Sequence, residues 1–383
     1  VVVERQFELA MHAPRSAYIH VPFCRHRCGY CNFTVIADRQ DLHRSYLQAL
    51  QAELELLGEP KEVDTLFLGG GTPTELRLSE FGELVELLHY WFPLADNGEF
   101  TTEANPEDIT SDYVEIFQKA GINRVSLGGQ SFNSEKLETL ERNHNSEQLR
   151  ACFEMLASIS SVSMDLIFGV PGESLDQWIV DLNSLLEFNP THLSTYGLTI
   201  EKGTPFWSRF EKGELQELSD DEQREFYLTA RRILRAKGYH HYEVSNYARP
   251  GYECRHNEAY WFGEQYYAAG PGAARFVNGY REVNHQSTTA YIRKALNGQS
   301  VVAESERVTG EDLHREILIF ALRRLDGITD EWFQQKTGVK PMELAGKEID
   351  MFIEQGFMQR QNGRLSLTEQ GLLVSDSLWP HLL

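Results

Sequence analysis

The sequence predicts an α/β fold: a partial (β/α)6 TIM-like barrel with a C-terminal helical, winged-helix-like domain. Strand-like and helix-like segments alternate through the first half of the 383-residue chain, the signature of repeated βα units. Glycines and polar residues cluster just past the ends of those strands, where parallel barrels gather their ligands. From residue 301 onward the pattern changes to helices closed by an Asn-Gly hairpin.

Taken in order, 17–21 reads as a short strand entering a cysteine-containing loop. An amphipathic helix follows over 41–57, with Leu47, Leu50, Leu54 and Leu57 at helical spacing. The second strand is 63–68. Ser79 can cap the next helix, which runs to Trp91, with Glu83 placed for a capping-box contact. Strands at 99–104, 124–127, 163–168 and 192–196 are separated by helices starting near Thr110, Ser146 and Ser174. Beyond the turn-rich Asn297-Gly298-Gln299, helices over 309–325, 330–337 and 342–355 precede strands at 357–360 and 364–367, joined at Asn362-Gly363.

The formal net charge is −21. Nucleic-acid binding rests on phosphate neutralisation, and no Lys/Arg-rich run is present, so the charge reads as a solvated acidic surface and nucleic acid is not an expected partner. The C-terminal segment 301–383 repeats the point, with 9 Lys/Arg against 14 Asp/Glu. Five cysteines at uneven intervals form no disulfide framework, which points to the reduced cytoplasm. The apolar runs are only strand-length, so no membrane span is expected, and the first residues lack a signal-peptide pattern. Met11 is the first methionine, and residues 1–10 are read as candidates for sequence upstream of the true start.

Chemistry is concentrated in Cys24-Arg25-His26-Arg27-Cys28-Gly29-Tyr30-Cys31. A cubane [4Fe–4S] cluster takes one thiolate per iron, so Cys24, Cys28 and Cys31 would leave one iron free to chelate a small molecule through nitrogen and oxygen. A structural zinc site wants four ligands; His20, His26 or Asn32 could complete one, but the cysteine spacings do not match the usual paired arms.

Further candidates stand at the strand ends. Gly69-Gly70-Gly71-Thr72-Pro73 follows the second strand and lets backbone approach a ligand closely, without the lysine of a P-loop or the spacing of a dinucleotide fingerprint. Glu103 ends the third strand, Gln130 follows Gly128-Gly129, Arg142 lies in Leu140-Glu141-Arg142-Asn143-His144, and Asp165 opens the run to Gly172. Singly, each reads more readily as a structural residue than as a functional one. In this order, and together with Tyr18-Ile19-His20-Val21-Pro22-Phe23-Cys24 and Gly121-Ile122-Asn123-Arg124-Val125-Ser126, they resemble the radical SAM superfamily. More narrowly, they resemble the branch that holds the oxygen-independent coproporphyrinogen III dehydrogenases (HemN) and the HemW-type heme chaperones. The resemblance runs from about Tyr18 to the C-terminus.

That resemblance implies an N-terminal extension over 1–16, a radical SAM core over 17–240, a connecting segment over 241–300 and a HemN-like C-terminal domain over 301–383 that caps the open side of the barrel. It implies that Cys24, Cys28 and Cys31 hold the cluster, and that its open iron binds the amino and carboxylate groups of S-adenosylmethionine. One electron from the reduced cluster would then split a carbon–sulfur bond to yield a 5′-deoxyadenosyl radical. By similarity Tyr18, Tyr30, Gly70, Gly71, Thr72, Glu103, Gln130, Arg142, Asp165, Thr199 and Ala274 line the site for one or two such molecules. Arg142 suits a carboxylate, and Glu103 and Asp165 suit ribose hydroxyls or an ammonium.

Three features separate the branches. The dehydrogenases carry a further cysteine two positions after the third ligand, where this chain has Phe33, and they have a longer N-terminal extension. His256-Asn257-Glu258-Ala259-Tyr260-Trp261 matches the His-Asn-x-x-Tyr-Trp signature of the HemW type. Imidazole is a standard heme ligand and aromatic neighbours stack on porphyrins, so His256 is a candidate ligand, with Cys254 a second nearby donor; the alternative is a histidine that holds a loop by hydrogen bonds. Against the pattern, Gly270-Pro271-Gly272-Ala273-Ala274-Arg275 stands where chaperone-type members read Gly-x-Gly-Ala-His-Ser. The expected function is that of a cytoplasmic heme chaperone. Its implied partners are heme or another porphyrin, a heme-acceptor protein, an electron donor of the reduced flavodoxin or ferredoxin type, and a membrane touched peripherally through the acceptor. The alternatives are a coproporphyrinogen III dehydrogenase of porphyrin biosynthesis, and a radical methyltransferase or heme-degrading enzyme.

Overall fold

The computed structural model describes residues 13–383. Residues 1–12, most of the expected extension and Met11 with it, lie outside the described residues. The main sheet has nine strands, six of which run parallel in chain order: β1 (Ser16–Val21), β2 (Val63–Gly70), β3 (Leu94–Ala104), β4 (Arg124–Gln130), β5 (Ser161–Phe168) and β6 (His192–Gly197). Their outward residues are apolar. Ile19, Leu68, Phe100 and Val125 pack against Tyr46, Leu50 and Leu54 of helix α1 (His43–Leu54) and against Phe81, Leu84 and Leu88 of helix α2 (Leu78–Trp91) in one buried core. The two-residue period of a strand sends the alternate positions, among them Tyr18, His20, Thr65, Glu103 and Asp165, to the opposite, interior face.

The predicted strands all form, and β2 and β4 run further than expected, so that Gly70 and Gln130 are themselves strand ends. The first helix is shorter than predicted: it stops at Leu54 and tightens into a 3-10 turn over Glu55–Leu57. The cap of α2 is corrected. Its N-cap is Arg77, not Ser79, and the side chain that folds back is Glu80, whose Oε2 accepts from the Arg77 backbone N–H at 3.2 Å, not Glu83. Glu80 prevails because it stands at the third helical position and also binds His43 Nδ1 at 2.9 Å.

Segment 241–300 is more than a connector. Its Tyr267–Ala269 adds a parallel strand beside β1, and its Asn246–Ala248 an antiparallel one beside β6, so it covers both edges that six strands leave open. The C-terminal domain has the expected winged-helix character. Helices Gly310–Leu322, Asp330–Thr337 and Pro341–Glu354 pack on a three-stranded sheet of Ile328–Thr329, Arg364–Leu367 and Met358–Gln361. Asn362 and Gly363 both take positive φ, 53° and 75°, as the two-residue hairpin turn requires. Leu313, Ile317, Phe333, Ile349 and Leu365 form the core of this domain, which reaches Phe276 of segment 241–300.

Candidate cofactor site at the mouth of the barrel

The C-terminal ends of β1 to β5 bring most of the predicted site residues together. The cysteine loop leaves β1, and its three thiols are free and partly exposed. Two donors stand against its sulfurs. Arg142 Nη1 lies 3.8 Å from Cys28 Sγ, and Thr72 Oγ1 lies 3.7 Å from Cys24 Sγ. Asn105 ties them together: its Nδ2 donates to Thr72 Oγ1 at 3.0 Å, which turns the threonine's own proton toward Cys24, and its Oδ1 accepts from Arg142. Arg142 also donates to Gly128 O at 2.9 Å, while its Nε is buried with no protein partner. Burial pushes the Cys24 thiol up to about 12, with Thr72 acting against it.

Gly70 and Gly71 hold the second strand end beneath this loop. Gly70 has a φ of +108°, and a Cβ on it would stand 2.4 Å from the His20 ring, so glycine is required there. Its N–H donates to Glu103 Oε2 at 3.0 Å. Glu103 is buried in the interior, and its carboxyl is pushed up to about 7 by desolvation and then by the nearby Asp165. Among the described residues no lysine or arginine forms an ion pair with Glu103 or with Asp165. Asp165 is instead cupped by hydroxyls, accepting from Ser194 at 2.7 Å, Ser126 at 3.2 Å and Ser163 at 3.4 Å.

Tyr18 donates to His20 Nδ1 at 3.1 Å and packs on Phe67. Tyr30 packs edge-on against Phe206 beside the cysteines. Gln130 and Glu141, which flank the Arg142 pocket in sequence, both sit at positive φ, 59° and 56°, a conformation that side chains adopt only when their surroundings impose it. Thr199 is exposed in the loop after β6, and Ala274 opens a strand of a separate three-stranded sheet, joined to the site through Gly272.

His256 lies elsewhere. It stands on the short helix Arg255–Trp261 beneath the opposite, N-terminal strand ends, and both ring nitrogens are taken, Nδ1 by Thr65 Oγ1 and Nε2 by Tyr260 Oη, each at 2.8 Å. Glu99 at the N-terminal part of β3 accepts from the backbone N–H of Arg255 and His256 at 3.0 and 3.1 Å, capping that helix from afar. Burial, with Arg124 adding, pushes the imidazole down to about 3. In this arrangement both ring nitrogens of His256 are engaged within the fold, as in a histidine that holds a loop by hydrogen bonds. Cys254 is likewise buried, its thiol turned to Glu99 at 3.6 Å and pushed up to about 12.

With this geometry in place, similarity to known proteins is decisive. Residues 18–185 match the radical SAM superfamily and residues 308–374 the HemN C-terminal domain. The chain is 32% identical over 372 residues to heme chaperone HemW of Bacillus subtilis, covering 95% of this chain and 98% of that one. The chain belongs to the HemW family of radical SAM proteins. It is also 34% identical to the Escherichia coli HemW over 376 residues, covering 95% and 97% of the two chains. The crystal fold of Escherichia coli HemN, a coproporphyrinogen III oxidase, matches with a TM-score of 0.85 at 21% identity, over 97% of this chain and 90% of that one, which shows a shared fold.

Membership of the radical SAM superfamily implies a [4Fe–4S] cluster and S-adenosylmethionine, and the residues present fit them. Among the described residues no group of three or more His, Cys, Asp or Glu side chains is placed to hold a single metal ion. The histidines that could complete a zinc site are engaged, His20 with Thr34 O at 2.7 Å and His26 with Glu141 at 3.1 Å. What the loop offers is three free thiols with donors turned toward two of them, a donor set suited to a three-cysteine cluster. Sequence reasoning missed Asn105 and the three serines around Asp165. Asn105 stands two residues after Glu103, but neither it nor a serine has a distinctive local pattern, and their roles come from partners on other strands. No helix among the described residues is long and apolar enough to cross a membrane.

Proposed function

We propose that this HemW-family chain holds a [4Fe–4S] cluster on Cys24, Cys28 and Cys31, binds S-adenosylmethionine at the barrel mouth, and carries heme to acceptor proteins in the cytoplasm. The observation that carries the reading is similarity along the full length to proteins named heme chaperone HemW. Phe33 supports it, since it fills the position where the dehydrogenases have a further cysteine. A reduced flavodoxin- or ferredoxin-type electron donor, and membrane contact through the acceptor, belong to the same proposal.

With the cluster and S-adenosylmethionine bound, the site would supply one-electron cleavage of a carbon–sulfur bond. The chain's own residues orient and exclude. Tyr18, Tyr30, Gly70, Gly71, Gln130, Thr199 and Ala274 would line the ligand, and Thr72 would steady the Cys24 sulfur. Arg142 spends one Nη1 hydrogen on Cys28 and its Nη2 hydrogens on Asn105 and Gly128, which leaves its buried Nε–H and the second Nη1–H to meet a ligand carboxylate. Glu103 accepts only one backbone N–H and retains acceptor capacity for an ammonium or a ribose hydroxyl. Asp165, already bound by three serines, would orient a hydroxyl through that cup.

Anaerobic incubation of the reconstituted protein with heme and, separately, with coproporphyrinogen III tests the proposal. Stoichiometric heme uptake without turnover is expected. Conversion of coproporphyrinogen III to protoporphyrinogen would overturn it in favour of the dehydrogenase.

A further inference from the structure

Helix α1 carries one carboxylate that the site described above does not use. Glu53 is 6% exposed and meets four donors, all drawn from segment 270–291: Tyr291 Oη at 2.6 Å, Asn284 Nδ2 at 2.7 Å, the Gly270 N–H at 2.9 Å and Arg275 Nη1 at 3.3 Å. Every partner donates, so the pocket suits an acceptor-only group. Burial pushes the Glu53 carboxyl up, and the four partners act against that.

The turn that Glu53 holds presses on both ends of the cysteine loop. A Cβ on Gly270 would stand 2.4 Å from His20 O, and one on Gly272 would stand 2.5 Å from Thr34 Oγ1. His20 precedes the first cysteine and Thr34 follows the third, and the two are joined by His20 Nε2 donating to Thr34 O at 2.7 Å. Tyr46, two helical turns before Glu53 on α1, donates to His20 O at 2.8 Å. Asn284 closes the arrangement from behind, donating to Gly270 O at 2.9 Å as well as to Glu53. Arg275, which replaces the serine of the chaperone-type pattern, bridges Glu53 to Glu282.

We propose that Glu53 is a positioning residue for the cysteine loop, fixing the Gly270–Gly272 turn against Thr34 and His20 and so setting where the three thiols stand. The inference rests on reading that loop as the cluster site, and its test separates the two. In Glu53→Gln the added amide N–H faces donors, so the centre is lost while the shape is kept. Hydrogen exchange on the cluster-free protein should show opening of segments 31–37 and 270–275 faster by about ten- to a hundredfold, the shift expected when a buried charged hydrogen-bond centre is lost, with the C-terminal domain unchanged. Tyr291→Phe removes one donor and should give a smaller change confined to the same segments. After anaerobic reconstitution, the reduced-cluster electron paramagnetic resonance signal of Glu53→Gln should respond more weakly than wild type to added S-adenosylmethionine.

Exchange in those segments equal to wild type, or faster everywhere alike, overturns the inference. If Glu53→Gln does not fold, Tyr291→Phe decides by the same criterion. If wild type itself takes up no cluster, the site reading fails, while the exchange pattern of the cluster-free protein still decides whether Glu53 holds the loop.

Discussion

The two ends of this barrel use similar side chains to opposite effect. At the N-terminal floor, Glu99 accepts two backbone N–H groups and His256 has both ring nitrogens engaged, so buried polar groups are consumed in joining a helix to the strands. At the C-terminal mouth, Glu103 accepts a single N–H, Arg142 keeps a buried Nε without a protein partner, and Gln130 and Glu141 hold positive φ. The floor too has an orphan nitrogen, the buried Nε of Arg124, so spare capacity alone does not mark a site; what marks the mouth is that its spare capacity stands beside three free thiols. The residue type alone does not distinguish them: a buried glutamate occurs at both ends.

The largest test removes the mouth's chemistry altogether. Replacing Cys24, Cys28 and Cys31 together with alanine should abolish iron-dependent absorption of the reconstituted protein while its circular dichroism stays that of the folded chain; retained absorption would refute the assignment. At the floor, His256→Ala should lower unfolding stability by about 3 kcal/mol, from two lost buried hydrogen bonds and a cavity, in denaturant titration. It should leave heme uptake intact, and loss of heme binding in a folded variant would erase the contrast between the two ends.

Acidity sharpens the same comparison. His256 is held neutral with its value pushed down to about 3, whereas the unfolded chain takes up that proton near 6.5. Its contribution is therefore full above about pH 6.5 and is lost as pH falls toward 3. Glu103 runs the other way. Its carboxyl is pushed from 4.5 up to about 7, so it imposes no penalty below pH 4.5 and a growing one as pH rises to about 7. Glu103→Gln should thus raise stability at pH 8, measured by thermal unfolding, and lower S-adenosylmethionine affinity about tenfold, the usual cost of losing one charged hydrogen bond. The smallest effect is expected at Phe33, 68% exposed at the mouth, where Phe33→Ala should shift unfolding stability by no more than about 0.5 kcal/mol.

Much of the fold was legible in the chain. The six strands, the Asn362-Gly363 hairpin and the three C-terminal helices follow from periodicity and turn residues, which act over a few neighbours. The α2 cap was misplaced because Ser79 and Glu83 satisfy the local pattern as well as Glu80 does, and the tie from Glu80 to His43 on another helix decides between them. Segment 241–300 could not be recognised as part of the sheet, since its edge strands are only three residues long and gain their identity from β1 and β6.

By itself, the sequence determined the cysteine spacing, the glycine turn and the strand-end order, because backbone geometry and cluster chemistry constrain residues close together in the chain. It also placed Phe33 where a further cysteine would distinguish another branch. Only the tertiary structure decided that His256 belongs to the floor and that Glu53 reaches the cysteine loop. Those assignments depend on which distant donor meets which buried acceptor, as when Glu99 meets His256 or Glu53 meets Tyr291, and such pairings arise from packing the strands and helices together.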